Sequence, residues 1–256
     1  MRTSLDRDNP FGESRYGYAW EHVPPGGAAH LDVGCGDGRF LAALQSKGIG
    51  RLVGIDASEQ AVAQAVQQLP GVEVLHVRCG ATLPFADGEF SSISLLDVLE
   101  HVDGQDDLLT ELHRILSDEG MLVATVPGRH VFSCLDMGNL KFRFPRLHRR
   151  HYCRRHSQEE YDRRYVSNPD GLIGDISATK RWHEHFSRSG LESLLNRNGF
   201  SVVEFDGAAL FVRVLKLAEL PLGRFALPGD AIRRFMAWDA RRFESANLFC
   251  LARRRC

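Results

Sequence analysis

The chain has 256 residues, 43% of them apolar, enough to bury one full core as a single large domain or as a domain carrying a substantial insertion. Lysine and arginine (32) nearly cancel aspartate and glutamate (33), and the formal charge of -1 excludes a long-range electrostatic case for nucleic acid or acidic partners, which would have to come from a local patch. Six cysteines without a Cys-x-x-Cys pair argue against a zinc cluster and for free thiols, and no signal-type or long apolar stretch is present, so the sequence reads as a soluble, cytoplasmic protein.

In chain order, a polar N-terminal arm (1–27) leads to a short apolar run, "HLDV", which predicts a first strand; "GCGDG" then turns at once into the helical pattern "RFLAALQSKG". A second strand, "RLVGID", is followed by Ser58 as the N-cap of "EQAVAQAVQQL", with Pro70-Gly71 as the stop, and by a third strand, "VEVLHV". Next come a strand in "FSSISLLDVLEHV", a helix over "QDDLLTELHRIL" and a fifth strand, "GMLVATVPG". Strands that alternate with helices and are apolar nearly throughout predict an α/β, doubly wound, mostly parallel sheet covered on both faces. Residues 129–186 lose the pattern and form a basic, aromatic insertion or lid. The alternation returns with a helix from Ser189 to Asn198-Gly199, the strand "SVVEF" and a last strand, "NLFCLARR"; between those strands, residues 208–244 carry two amphipathic helical patterns. One has Arg213, Lys216 and Glu219 as its polar stripe, the other Ile232, Phe235, Met236 and Phe243 on its apolar side. The whole of 1–256 is thus expected to be one domain with an arm, a lid and extra helices before the last strand.

A strand that turns directly into a helix aims backbone N–H groups above the sheet, where glycines let a ligand approach. Gly34, Gly36 and Gly38 are spaced Gly-x-Gly-x-Gly with Arg39 where a dinucleotide fold would have its third glycine, so the dehydrogenase fingerprint fails. Asp32 would sit poorly beside phosphate but suits a ligand bearing an ammonium group, and Asp56, ending the second strand, suits free ribose hydroxyls.

With these residues the sequence resembles the class I S-adenosylmethionine-dependent methyltransferases. "LDVGCGDG" is similar to their first motif and "GIDAS" to their ribose-binding strand end, and the likeness runs through "LPFADGEF", "LLDVLEHV", "ELHRILSDEGMLVATVPG" and "HEHFSRSGLESLLNRNGF". The resemblance implies a Rossmann-like, doubly wound, mostly parallel seven-stranded sheet and S-adenosyl-L-methionine as cofactor. It places Asp32, Gly34, Cys35, Gly36 and Gly38 around the methionine and adenosine-proximal pocket, Asp56 at the ribose, Ala57 at the adenine and Leu96 at the end of strand four. Cys79 and Ser91 depart from the family pattern, where acidic residues are common, which passes adenine recognition to backbone groups at Gly80 and Ala81.

Methyl transfer from a sulfonium needs an aligned acceptor and, for a hydroxyl, a base. The ends of strands four and five put Asp97, Glu100 and His101 near the acceptor, with His101 the first choice of base and Asp97 beside it; "WHEHF" adds His183 and His185 from the end of the lid. No metal is expected. "LDVLEH" stands where amino-directed relatives carry an Asn/Asp-Pro-Pro-aromatic element, which favours O-methylation of a small-molecule, sugar or glycan, or lipid-linked acceptor over an N-methylated base, with carbon methylation as the minor option. Nine Lys and Arg residues between 141 and 164, interleaved with Phe and Tyr, suit an anionic group on the acceptor. Arg233, Arg234, Arg241 and Arg242 with Trp238 form a segment that can lie weakly on anionic lipid, so a location peripheral to the membrane goes with the cytoplasmic one. The alternatives are an RNA methyltransferase gripping RNA through the insertion, although nucleic acid is not the expected partner, and a cofactor-binding regulatory protein without catalysis.

Overall fold

The computed structural model describes residues 15–78, 80–135, 139, 142–167, 184–212, 214–215 and 226–255, with backbone alone at 164, 226–230 and 233. Cys79, Lys141, His183 and the stripe of Arg213, Lys216 and Glu219 lie outside the described residues.

Seven strands form one sheet: β1 (Ala29–Val33), β2 (Arg51–Asp56), β3 (Glu73–His76), β4 (Phe90–Leu96), β5 (Leu116–Pro127), β6 (Phe200–Ala208) and β7 (Asn247–Arg254). Their order is β3-β2-β1-β4-β5-β7-β6, parallel except that β7 runs antiparallel to both β5 and β6. β1 is buried along its whole length and β4 in all but one residue, as expected for central parallel strands covered on both faces.

Helices α1 (Arg15–His22) and α2 (Arg39–Leu44) bury Tyr18, Ala19, Trp20, Phe40 and Leu44 on one face, together with Val123, Phe249 and Leu251 of the sheet. On the same side, α3 (Glu59–Gln68) starts at Ser58, whose hydroxyl accepts from the N–H of Ala61 at 3.2 Å. The opposite face is closed by α4 (Gln105–Ile115), through Leu109, Leu112 and Ile115, and by a helix between β5 and β6, through Leu191, Leu194 and Leu195. Asp106 and Asp107 in the first turn of α4, with His113 and Arg114 in its last, complement the helix dipole.

The insertion holds α5 (Pro145–Tyr152), α6 (Gln158–Asp162) and a π-helical turn at Arg163–Ser167, gathered around Tyr161, which is 1% exposed and ringed by His148, Tyr152 and Tyr165 at centroid distances of 5.0 to 5.7 Å. The stretch without a sheet pattern therefore contains a small aromatic core of its own. The closing helix, α7, runs Arg188–Arg197; it begins one residue before the sequence suggests because Ser187 caps it, accepting from Gly190 N–H at 3.0 Å. Helix α8 (Ala226–Arg242) precedes β7.

Both excursions leave and return at the carboxyl edge of the sheet. Gly128 bridges Phe186 at the neck of the insertion, and Ala209 bridges Glu244 at the neck of the second. The necks touch: Gly128 N–H donates to the Ala246 carbonyl at 2.8 Å, and a Cβ on Gly128 would lie 2.0 Å from the Ser245 oxygen. The polar arm of the sequence reading ends in α1, whose aromatic residues belong to the core.

Candidate functional site

The β1–α2 turn lies at the carboxyl edge beside the end of β2. Gly34, Gly36 and Gly38 all have left-handed backbones, with φ of 72°, 56° and 80°. At Gly34 a Cβ would strike Val98 Cγ2 at 2.5 Å, whereas at Gly36 nothing lies within 4 Å of that position. Gly36 thus presents bare backbone to open space, which is where a ligand can come close.

Asp56 fastens this turn from below. One carboxylate oxygen accepts from Gly36 N–H at 2.8 Å and the other from Ser58 N–H at 2.9 Å, and each keeps a further lone pair for a hydroxyl. Cys35 is buried beside Leu41 and Leu69, with burial pushing its thiol pKa up, so only its backbone can serve a ligand. Ala57 is half-buried, and its carbonyl accepts from His76 Nε2 at 3.1 Å. Gly80 and Ala81 form an exposed turn, with Ala81 N–H on the Arg78 carbonyl at 3.1 Å, while Leu96 is buried at the end of β4 beneath α1. Ser91 sits at the opposite end of β4, where its hydroxyl donates to the Ala29 carbonyl at 2.8 Å and holds the start of β1.

Asp32, 3% exposed, ends a polar chain that crosses the core. The β1–β4 register sets His30 beside Ser92 and Asp32 beside Ser94. Ser94 Oγ–H donates to Asp32 Oδ1 at 2.5 Å. With that proton committed, His30 Nε2–H donates to Ser94 Oγ at 3.0 Å, and His30 Nδ1 accepts from Ser92 Oγ–H at 2.8 Å. Burial holds the His30 pKa down at about 3, so the ring is neutral, and the chain of donors supports negative charge on Asp32. Burial still pushes the Asp32 carboxyl up to about 7; Ser94 pulls it down in part and the charge of Asp56 adds to the rise.

The second half of the site follows β4. Asp97 has φ 56°; its N–H donates to the Thr125 carbonyl at 2.9 Å, and its carboxylate accepts from Thr125 Oγ1 at 2.7 Å and from Arg15 Nη1 at 2.6 Å. Glu100 is buried, and its Oε1 lies 3.8 Å from His101 Nε2, on a ring that is partly exposed. Gln105 donates both to the Leu99 carbonyl at 2.8 Å and to Glu184 Oε2 at 2.9 Å. It ties the loop bearing His101 to the segment bearing His185, so Asp97, His101 and His185 come from chain segments that the fold draws to one edge. Sequence reasoning gave Thr125 no role and placed Arg15 only within the polar N-terminal arm. Thr125 left a faint signal as the lone hydroxyl in "LVATVPG"; the pairing of Arg15 with Asp97, 82 positions apart, left none. Among the described residues there is no cluster of three or more His, Cys, Asp or Glu able to hold a metal ion.

The model of a methyltransferase domain family matches residues 31–124, the stretch that runs from within β1 through most of β5. Residues 31–124 are therefore similar to a methyltransferase domain. The chain is 31% identical over 103 residues to a protein of Mycolicibacterium smegmatis named a probable S-adenosylmethionine-dependent methyltransferase, covering 40% of this chain and 39% of that one. It is 36% identical over 106 residues to an uncharacterized 37.1 kDa protein of a Streptomyces fradiae transposon, covering 40% and 30%. The likeness thus spans between about a third and two fifths of the length of these curated relatives. Among solved structures, an S-adenosylmethionine-dependent methyltransferase of Mesorhizobium loti superposes with a TM-score of 0.56 at 18% identity, covering 94% of this chain and 98% of that one. The [4+2]-cyclase SpnF superposes with a TM-score of 0.58 at 18% identity, covering 95% and 81%. At that identity the structures establish the Rossmann-like class I methyltransferase fold, and SpnF illustrates that the fold also carries other chemistry.

Proposed function

We propose that the protein binds S-adenosyl-L-methionine at the Gly34–Gly38 turn and transfers its methyl group to an oxygen of a small-molecule, sugar or lipid-linked acceptor. The observation that carries this reading is Gly36: a left-handed residue with open space where its Cβ would be, fastened to Asp56 and flanked by the buried acid Asp32. The donor set fits the ligand, since an ammonium group needs an acid and a ribose needs a hydrogen-bond acceptor at a strand end. When bound, the cofactor supplies a sulfonium-activated methyl group for in-line displacement.

The chain's own residues then align the acceptor and accept its proton. Asp32, charged, holds the ammonium end, and Asp56 offers its remaining lone pairs to the ribose. Asp97, fixed by Thr125 and Arg15, has carboxylate lone pairs left to orient an acceptor hydroxyl. The imidazole of His101 takes the hydroxyl proton, and Glu100 Oε1, 3.8 Å from Nε2, stabilises the imidazolium. His185 is the second candidate for that step, on a segment joined to the same loop through Gln105.

Isothermal titration with S-adenosyl-L-methionine tests the donor half: binding is expected in the wild type and is expected to be lost in Gly36→Val, which fills the approach. Wild-type protein that binds no cofactor overturns the proposal. Incubation with methyl-labelled cofactor and a panel of hydroxyl-bearing acceptors tests the other half, and label transferred only to nitrogen or carbon overturns the assignment to oxygen.

A further inference from the structure

Eight large apolar side chains are exposed among the described residues, and their distribution is uneven. Val66 and Val203 lie on α3 and β6; the other six, Val131, Phe144, Leu147, Val166, Phe235 and Trp238, all belong to the two excursions at the carboxyl edge of the sheet. Val131 is 77% and Leu147 65% exposed, far from the partial exposure usual for aliphatic residues of a folded domain.

Arginines accompany them. Helix α5 turns His148 and Tyr152 inward to the Tyr161 cluster and sends Arg146, Leu147 and Arg150 to solvent on the other side. Arg149 spends its charge on Asp162 at 3.3 Å, but Arg146, Arg150, Arg154 and Arg155 are exposed with no ion-pair partner among the described residues. On α8, Phe235 and Trp238 stack at 5.1 Å, with Arg234 and Arg241 exposed beside them. The segments adjoin, since Phe132 of the insertion meets Phe211 at 5.5 Å and Phe211 reaches Phe235 at 6.4 Å.

We propose that this edge of the protein docks on an anionic lipid surface. Exposed aromatic and aliphatic side chains among exposed arginines match the acyl boundary and the phosphates just above it. Charge complementarity selects anionic over neutral lipid. The aliphatic residues select a bilayer over nucleic acid, because Leu147 and Val131 gain nothing against phosphates or stacked bases. No helix among the described residues is long and apolar enough to cross a membrane, so the contact is one of surface docking. Docking at this edge presents the acceptor side of the site to the lipid, and the contact does not depend on whether a methyl group is moved.

The test is co-sedimentation of the full chain with vesicles of phosphatidylcholine alone and of phosphatidylcholine mixed equally with phosphatidylglycerol. Binding is expected only to the anionic vesicles and is expected to weaken as salt rises. At roughly fivefold per arginine, Arg146→Gln with Arg150→Gln lowers the partition coefficient about 25-fold. Because both side chains are exposed, the circular dichroism of that variant matches the wild type, and Leu147→Ser serves as an independent loss-of-binding variant. Vesicle binding shifts tryptophan emission to the blue, and the shift shrinks in Trp238→Phe. No sedimentation with anionic vesicles, equal sedimentation with neutral ones, or binding of single-stranded RNA that anionic vesicles fail to displace each overturns the proposal.

Discussion

At the proposed site, the charge on Asp32 is expected to make cofactor affinity depend on pH, with a sign and size that follow from its surroundings. Its folded carboxyl titrates near 7 because burial disfavours the anion, although Ser94 donates to it at 2.5 Å. An ammonium group bound beside it favours the anion, so binding releases the proton and affinity rises with pH. From a pKa of about 7, the anion is roughly one-eleventh of the population at pH 6 and ten-elevenths at pH 8, so the dissociation constant falls about tenfold across that interval. Removing the Ser94 hydroxyl removes a bond to a charged group worth about 1.5–3 kcal/mol, equivalent to a rise of about one to two pH units, so Ser94→Ala moves the transition upward. Calorimetric titration in buffers of different ionisation enthalpy reads both affinity and proton release. Wild-type affinity that stays flat from pH 6 to 8, or a slope that Asp32→Asn reproduces, refutes the reasoning; in the second case the slope belongs to the ligand. Stability runs the other way. The folded pKa lies above the unfolded one, so the folded state loses stability as pH rises from the ordinary carboxylate range to about 7, and Asp32→Asn is expected to stabilise the cofactor-free protein at pH 8, by about 4 kcal/mol at most.

Gly34→Ala combines a left-handed φ of 72° with a contact of 2.5 Å to Val98 and should cost about 2–3 kcal/mol in urea denaturation, with a lowered midpoint as the readout. Arg15→Ala removes an ion pair whose arginine side chain is 42% exposed, so stability should fall by less than about 1 kcal/mol while turnover falls with Asp97 no longer fixed; a large loss of stability with unchanged turnover contradicts that division. Arg114 binds Glu111, Asp87 and the carbonyls of Leu83 and Phe85, pinning the loop before β4 to α4, and Arg114→Met should lower the melting temperature by several degrees for a loss of about 1–3 kcal/mol, measured by differential scanning calorimetry.

Much of the sheet was legible because local signals agreed with the global arrangement. Strand-like runs, the Ser58 cap and the glycine turn each act over a few residues, and the last strand was read with its observed limits. The placement of the candidate donor residues is legible for the same reason: Asp32, the glycines and Asp56 are set by two adjacent strand ends. His30, Ser92 and Ser94 were harder, because their pairing needs the register of strands 62 and 64 positions apart. Their alternation in "HLDV" and "FSSISLL" is a period-two signal that becomes meaningful only once β1 is known to neighbour β4. Arg15 was beyond reach, since nothing local to α1 specifies that its guanidinium meets a carboxylate after β4. The left-handed Asp97 is partly hidden too, because aspartate is among the few residues that tolerate that conformation without a glycine to mark it. The aromatic core of the insertion escaped because short helices held by rings of mixed spacing have no single period.

The touching necks at Gly128 and Ser245 give the molecule a shared hinge. The insertion and the α8 excursion grow from one junction where backbone meets backbone, and any side chain at 128 would wedge them apart. Neither excursion can swing at its root without moving the other. Exchanging one with a relative's while keeping the other is expected to mismatch the junction, whereas exchanging both together leaves the glycine turn and its acids on the far half of the sheet untouched.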